Sequence, residues 1–320
     1  MSSQTSLASH FANTWVVSCN FKLAKKMNTP LILNFKRLIA LISIPTMLVS
    51  CNILAPQILE SKKIPEVDKT REVKILTAFF GLDNGLTRQA NIIYSKAYGK
   101  DGMPLVFSHE LDPSTIEGAD FEVTTKKGNV FLAEAASLLP ANEEFELRTI
   151  LLIGEYGSYP DNQPVSVKVV GDLMSRTGQN YKGQSIKVIP LEEGPILSYA
   201  EYFAFDEDYP FVGKGRGCDC PKKETKMVVK VVWSGGVRAI NGKELGDNEL
   251  NDFTVTVVNG SDTMQARPFK LADLSDNDNN IDLCLKQPGI PILVEVNENI
   301  AIDPNGDKNP KNKIKVLGRW

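Results

Sequence analysis

Two acidic loops hold the densest runs of oxygen ligands in this chain. Asp276, Asp278, Asn280 and Asp282 alternate within LADLSDNDNNIDL, and Asp303, Asn305 and Asp307 within DPNGDKN. Alternating Asp and Asn offer the oxygens that Ca²⁺ takes, and extracellular modules bind it as weakly as about 10⁻⁴ to 10⁻³ M. The first run lacks the glycine at position six and the closing glutamate of an EF-hand loop. Asp and Asn also support turns by bonding their own backbone, which is the leading reading of both loops, with Ca²⁺ as the alternative cofactor. Were both loops at one end of a sandwich, they could share one ion.

Other chemistry-bearing residues are sparse. His109, in Ser108-His109-Glu110-Leu111-Asp112, would have to serve any Ser-His-Asp triad, and no GxSxG elbow occurs, so it reads as a solvated or turn-supporting histidine. Gly213-Lys214-Gly215-Arg216-Gly217 lacks the ending and following helix of a phosphate loop and reads as a flexible linker. Glu201, Asp206, Glu207 and Asp208 lie among Tyr199, Tyr202, Phe203, Phe205 and Tyr209. Carbohydrate sites use that mixture, but so does a strand running into a loop. With no catalytic constellation the chain is expected not to be an enzyme; the alternative is a carboxylate-dependent envelope hydrolase, carbohydrate-active and calcium-assisted, with its site between domains.

The N-terminal stretch says where the protein lives. Lys36 and Arg37 precede an apolar run over residues 38–49, which ends in Leu48-Val49-Ser50-Cys51. Charge, apolar run and small-residue junction are the layout of a secretory signal, and the run is short of the ~20 residues that cross a ~30 Å hydrocarbon layer. The Leu-Val-Ser-Cys string resembles the lipobox of bacterial lipoproteins. That resemblance implies cleavage before Cys51 and acylation of its thiol, with palmitate-like chains as the membrane anchor. Residues 1–50 are then signal peptide, with 1–26 an over-extended start before Met27, and residues 51–72 a lipidated tether. The expected location is the bacterial envelope, on the outer-membrane or periplasmic side.

Five basic residues and no acidic one leave with the signal, so 31 basic residues face 39 acidic ones and the mature net charge is −8. Such a surface argues against nucleic acid as a partner; an envelope protein or polysaccharide fits better. Of five cysteines, Cys19 lies in the signal and Cys51 carries the lipid, leaving Cys218, Cys220 and Cys284. In an oxidising compartment one member of the CxC pair is expected to bridge to Cys284, with Cys220 preferred, and CxC by itself has too few ligands for a metal.

The elements that must position these residues are strands. Alternation dominates from Val73 onward: Phe121, Val123 and Thr125; Val165, Val167 and Val169; Val229, Val231 and Trp233; Phe253, Val255 and Val257; Val294 and Val296. Residues 133–139 read as strand and loop rather than helix. The fold class is therefore all-β, with two tandem sandwich domains at residues 73–205 and 227–320 and a CxC-bearing linker at 206–226. A repeat supports two units: Asp120-Phe121-Glu122-Val123 with Gly128 recurs as Asp252-Phe253-Thr254-Val255 with Gly260, and an apolar strand, a valine-rich strand and a polar loop follow each.

At VFSHELDPSTIEGADFEVTTKKG, residues 106–128, the chain resembles the bacterial Ig-like module of the SbsA type. The resemblance covers roughly residues 105–188 and extends loosely to the second half. It implies Ig-like sandwiches at a cell surface with a spacer, adhesion or presentation role, and no reaction. FFGLDNGL, within residues 73–103, and residues 203–226 have no counterpart in that module, and any specialised function is expected there.

Overall fold

The computed structural model describes residues 71–205, 218–272 and 276–319. The expected signal peptide, Cys51, most of the expected tether and residues 206–217 of the expected linker lie outside the described residues. The described residues are nearly all strand, and helical structure among them is limited to short 3₁₀ turns.

The first half supplies β1 (Ile75–Phe79), β2 (Asp101–Phe107), β3 (Phe121–Thr125), β4 (Val130–Leu132), β5 (Ala135–Ser137), β6 (Thr149–Gly154), β7 (Pro164–Val169) and β8 (Ser185–Ile189). The second supplies β9 (Leu197–Ala204), β10 (Met227–Trp233), β11 (Arg238–Ala239), β12 (Phe253–Asn259), β13 (Asp262–Ala266), β14 (Lys270–Ala272), β15 (Asn280–Leu285), β16 (Ile290–Val296), β17 (Ala301–Ile302), β18 (Asn312–Lys315) and β19 (Leu317–Gly318). β11 pairs only with β17.

Strand order in the first half is β4-β3-β7-β8-β1-β2-β6-β5; in the second it is β13-β12-β16-β18 in one sheet and β19-β9-β10-β15-β14 in the other. The two orders coincide when β18 and β19 together stand for β8. Even the exceptional parallel pairs correspond, β1 with β8 and β9 with β19, amid antiparallel neighbours. This is the arrangement of an all-β sandwich.

The repeat in sequence is a repeat in register. Phe121 lies opposite Val169 and Val123 opposite Val167; Phe253 lies opposite Val296 and Val255 opposite Val294. Each copy starts after a 3₁₀ turn, and each acidic residue's carbonyl is bonded just beyond the valine-rich strand: Val170 N–H donates to Asp120 O at 2.8 Å, and Asn297 N–H to Asp252 O at 2.9 Å. Gly128 (φ 81°) and Gly260 (φ 63°) take the left-handed conformation that closes the following hairpin.

Two separate apolar cores result, one built by residues 73–188 around Phe107, Phe121 and Tyr181, the other by residues 197–316 around Trp233 and Phe253. Both belong to one compact unit. β9, which the sequence reading assigns to the first sandwich, pairs along its length with β10 and packs in the second core. The composition shift at FDEDYP follows this strand, whereas the change of partner sheet precedes it.

Candidate functional site: the buried junction of the two sandwiches

Every residue of β10 and of β15 is buried. Side chains alternate across a strand, so a strand buried on both faces must be covered twice. One face of the β9-β10-β15 sheet, with Val229, Val231, Ile281 and Leu283, fills the second core. The opposite face presents Tyr199, Glu201 and Phe203 from β9, Val228, Lys230 and Val232 from β10, and Asn280, Asp282 and Cys284 from β15. The first sandwich covers it with Val106 of β2 and the segment from Phe145 to Thr149: Val106 packs with Tyr199 and Val232, and Phe145 with Phe203, Val228 and Cys284.

This second face is charged as well as apolar. Arg148 Nη2 lies 3.2 Å from Glu201 Oε2, its Nη1 donates to the carbonyls of Phe107 and Ser108, and its guanidinium stacks 3.9 Å from the centre of the Tyr199 ring. Arg319 donates to Glu201 Oε1 and, at 2.6 Å, to Glu110 Oε1, while its guanidinium lies 3.7 Å from the centre of the Phe145 ring. Arg176 completes the set, 3.3 Å from Glu110 Oε2 and 3.4 Å from Glu144. Burial by itself would raise the pKa of Glu110, but Arg319, Arg148 and Arg176 outweigh it and hold the carboxyl below its ordinary value. Phe145 has φ 72°, an unusual conformation for a bulky residue; packing against Arg319 and Phe203 holds it there.

A second ionic group sits beside the first. Lys230 Nζ, fully buried, lies 2.9 Å from Glu146 Oε1 and 3.2 Å from Asp282 Oδ1. Burial disfavours the lysine's charge, yet Asp282 and Glu146 overcome it and its pKa rises. Acidic groups outnumber it here. Burial pushes Glu146 up, Lys230 pulls it back, Asp276 pushes it up again, and its pKa settles at about 7. Asp278 is raised well above its ordinary value by burial, then by Glu146 and Asp276. Glu143, Glu146 and Asp276 each place a carboxylate oxygen within 4.8 Å of the others.

Between the sandwiches, next to Asp278, lies an apolar cleft of about 210 Å³ walled by Phe79, Leu86, Pro104, Leu138 and Leu151. Its volume falls below the roughly 300–1,000 Å³ of sites for drug-sized ligands, so it suits a small apolar group. Phe79, Gly81, Leu82 and Leu86, four of its lining residues, come from FFGLDNGL.

Of the seven expected oxygen ligands, the structure brings only Asp276 into a cluster of three acidic groups among the described residues. Asp278 accepts from Asn280 N and Nδ2, Asp282 faces Lys230, and Asp303 accepts from the backbone of Asn305 and Asp307 and from Asn305 Nδ2. Most of these side chains are committed to their own turns or to the lysine. Cys220 and Cys284 are joined, with Cα atoms 5.7 Å apart, and Cys218 is a buried thiol whose pKa burial raises. His109 is buried rather than solvated; its Nδ1 lies 2.9 Å from Ser108 Oγ and its backbone N–H donates to Tyr181 Oη. Sequence reasoning missed Glu110, Arg148, Lys230 and Arg319 as junction residues. The signal for Lys230 was available: a lysine centred in MVVKVVW, a run too apolar for a strand with a solvated face.

No family model and no curated protein matches the chain. Solved structures of the bacterial S-layer protein SbsC overlap it: the N-terminal part at 10% identity over 77% of this chain and 44% of that one, with a TM-score of 0.26, and rSbsC(31-844) at 8% identity over 78% and 41%, with a TM-score of 0.25. The chain spans less than half the length of either. Overlap at these scores does not establish a common fold and assigns nothing to this chain.

Proposed function

We propose that the chain is a lipid-anchored protein of the bacterial cell envelope, held by acylated Cys51, that serves as a non-catalytic scaffold, adhesion or binding module. The observation that carries this reading is the junction: two copies of one sandwich are locked together through buried ion pairs of Arg148 and Arg319 with Glu110 and Glu201. Fixed spacing between two sandwiches suits an element that holds or presents something at a distance from a membrane. The lipobox resemblance supplies the anchor and the SbsA-type resemblance the surface role.

Two measurements test it. Growth with labelled palmitate should mark the wild-type chain in the membrane fraction, and Cys51→Ser should abolish label and move the protein to the soluble fraction; an unlabelled wild-type chain in the cytosol sinks the anchor. Purified protein incubated with envelope polysaccharide should release no new reducing ends. Release that Glu146→Gln or Glu143→Gln abolishes would instead establish the hydrolase.

A further inference from the structure

We propose that Glu143, Glu146 and Asp276 bind a divalent cation, Ca²⁺, that bridges the segment following β5 of the first sandwich to the β14–β15 loop of the second. This reading does not depend on the lipid anchor or on the scaffold role. The three side chains come from both halves of the chain, and their carboxylate oxygens lie within 4.8 Å of one another. That spacing lets one ion touch all three at the 2.3–2.6 Å of Ca²⁺–oxygen bonds.

Acidic groups gather on many surfaces without an ion. Here a second, independent observation points to one. Glu146 has 3% of its side chain exposed, and Lys230 engages only Oε1; Oε2 is buried with no hydrogen-bond partner. A buried carboxylate oxygen without a partner carries its full desolvation penalty, which a bound cation offsets. Asn280 Oδ1 is a further buried oxygen without a partner. Alternation puts Asn280 on the same face of β15 as Asp282, which Lys230 joins to Glu146, so this second oxygen belongs to the face that Glu146 covers.

The donor set chooses the metal class. Three carboxylates form a hard, all-oxygen site, which suits Ca²⁺ or Mg²⁺ and not the nitrogen and sulfur preferences of Zn²⁺. The irregular arrangement, drawn from two loops in different sandwiches, favours the flexible coordination of Ca²⁺ over the strict octahedron of Mg²⁺.

The test uses the full chain, stripped with EDTA and dialysed, with Ca²⁺ alone as probe. At Ca²⁺ about 100-fold above Kd, the melting temperature should rise by about 5–10 °C, with one ion bound per chain by elemental analysis. Glu143→Gln and Asp276→Asn, both at half-buried positions, should each weaken Ca²⁺ binding by at least about 10-fold while folding normally without the ion. Asp307→Asn, in the other acidic loop, should keep the wild-type response. The proposal is overturned by an unchanged wild-type melt, by full Ca²⁺ response in Glu143→Gln and Asp276→Asn, by loss of response in Asp307→Asn, or by a larger shift with Zn²⁺ or Mg²⁺ than with Ca²⁺ at equal concentration.

Discussion

Arg319 and Glu110, 209 residues apart in the chain, meet at 2.6 Å in the buried junction, so the residue that follows β19 in the second sandwich is tied to the segment that follows β2 in the first. Arg319 also engages Glu201. Removing it leaves two buried carboxylates short of a partner, which costs about 3–5 kcal/mol where one member of a buried pair is deleted. Arg319→Ala is expected to lose that much in urea unfolding. It should also split one transition into two, because the contact it breaks joins the two cores. A loss under about 1 kcal/mol with a single transition would show that the junction is held by its apolar contacts alone.

Lys230 gives a sharper version of the same argument. Lys230→Met should cost about 3–5 kcal/mol, since Glu146 and Asp282 stay buried beside it. Replacing all three with apolar residues of similar volume should recover most of the loss, because no buried charge is then left over. Urea titrations of the single and triple variants decide it: a triple variant as weak as the single one would mean that the ions themselves, rather than the filled volume, hold the sheets together.

The strands that build the cores were legible because their alternation is a local property: Phe121, Val123, Phe253 and Val255 are all fully buried. The duplication was legible for the same reason, since each DFxV strand carries its own turn glycine. The junction was not. MVVKVVW signals that Lys230 is buried, but the partners that meet Glu201 and Lys230, Arg148 and Glu146, approach from 53 and 84 residues away in the chain, which no local pattern shows. In the acidic loops, Asp303 and Asp278 bond their own backbone, the turn-supporting role, which sequence cannot separate from ligation. The edge of the first sandwich was misplaced because composition changes after β9, while pairing changes before it.

Cys220–Cys284 closes a loop with a sequence separation of 64. Loop-closure entropy for that length gives about 4 kcal/mol of stabilisation. Cys284→Ser should therefore lower unfolding free energy by about 2–4 kcal/mol. Cys218, buried and with its thiol pKa raised by burial, should resist alkylation in the folded protein. In a Cys19→Ser/Cys51→Ser background, mass spectrometry without reductant should find one alkylated thiol per chain after unfolding and none before it. Rapid native alkylation, or three reactive thiols on unfolding, would contradict this arrangement.

Asp101 begins β2 fully buried, its Oδ1 accepting from Asn84 N at 2.8 Å and its Oδ2 from Tyr156 N at 2.6 Å. Burial pushes its pKa up to about 6; the two N–H groups pull it down, and Asp83 and Glu155 add to the rise. The folded value exceeds the ordinary value of 3.8, so the folded state binds this proton more tightly than the unfolded state. The stabilisation is therefore complete below about pH 4 and is lost as pH climbs through about 6. Its slope is at most ~1.4 kcal/mol per pH unit, giving about 2–3 kcal/mol across the window. Asp101→Asn removes the titration; it also leaves one of the two N–H groups without its acceptor, a cost that does not depend on pH and so leaves the difference in slope intact. Unfolding free energies measured from pH 4 to 7.5 should thus fall more steeply in wild type than in the variant, with the difference between the curves growing by about 2 kcal/mol. Parallel curves would mean that Asp101 titrates normally and that the two backbone donors, rather than burial, govern its charge.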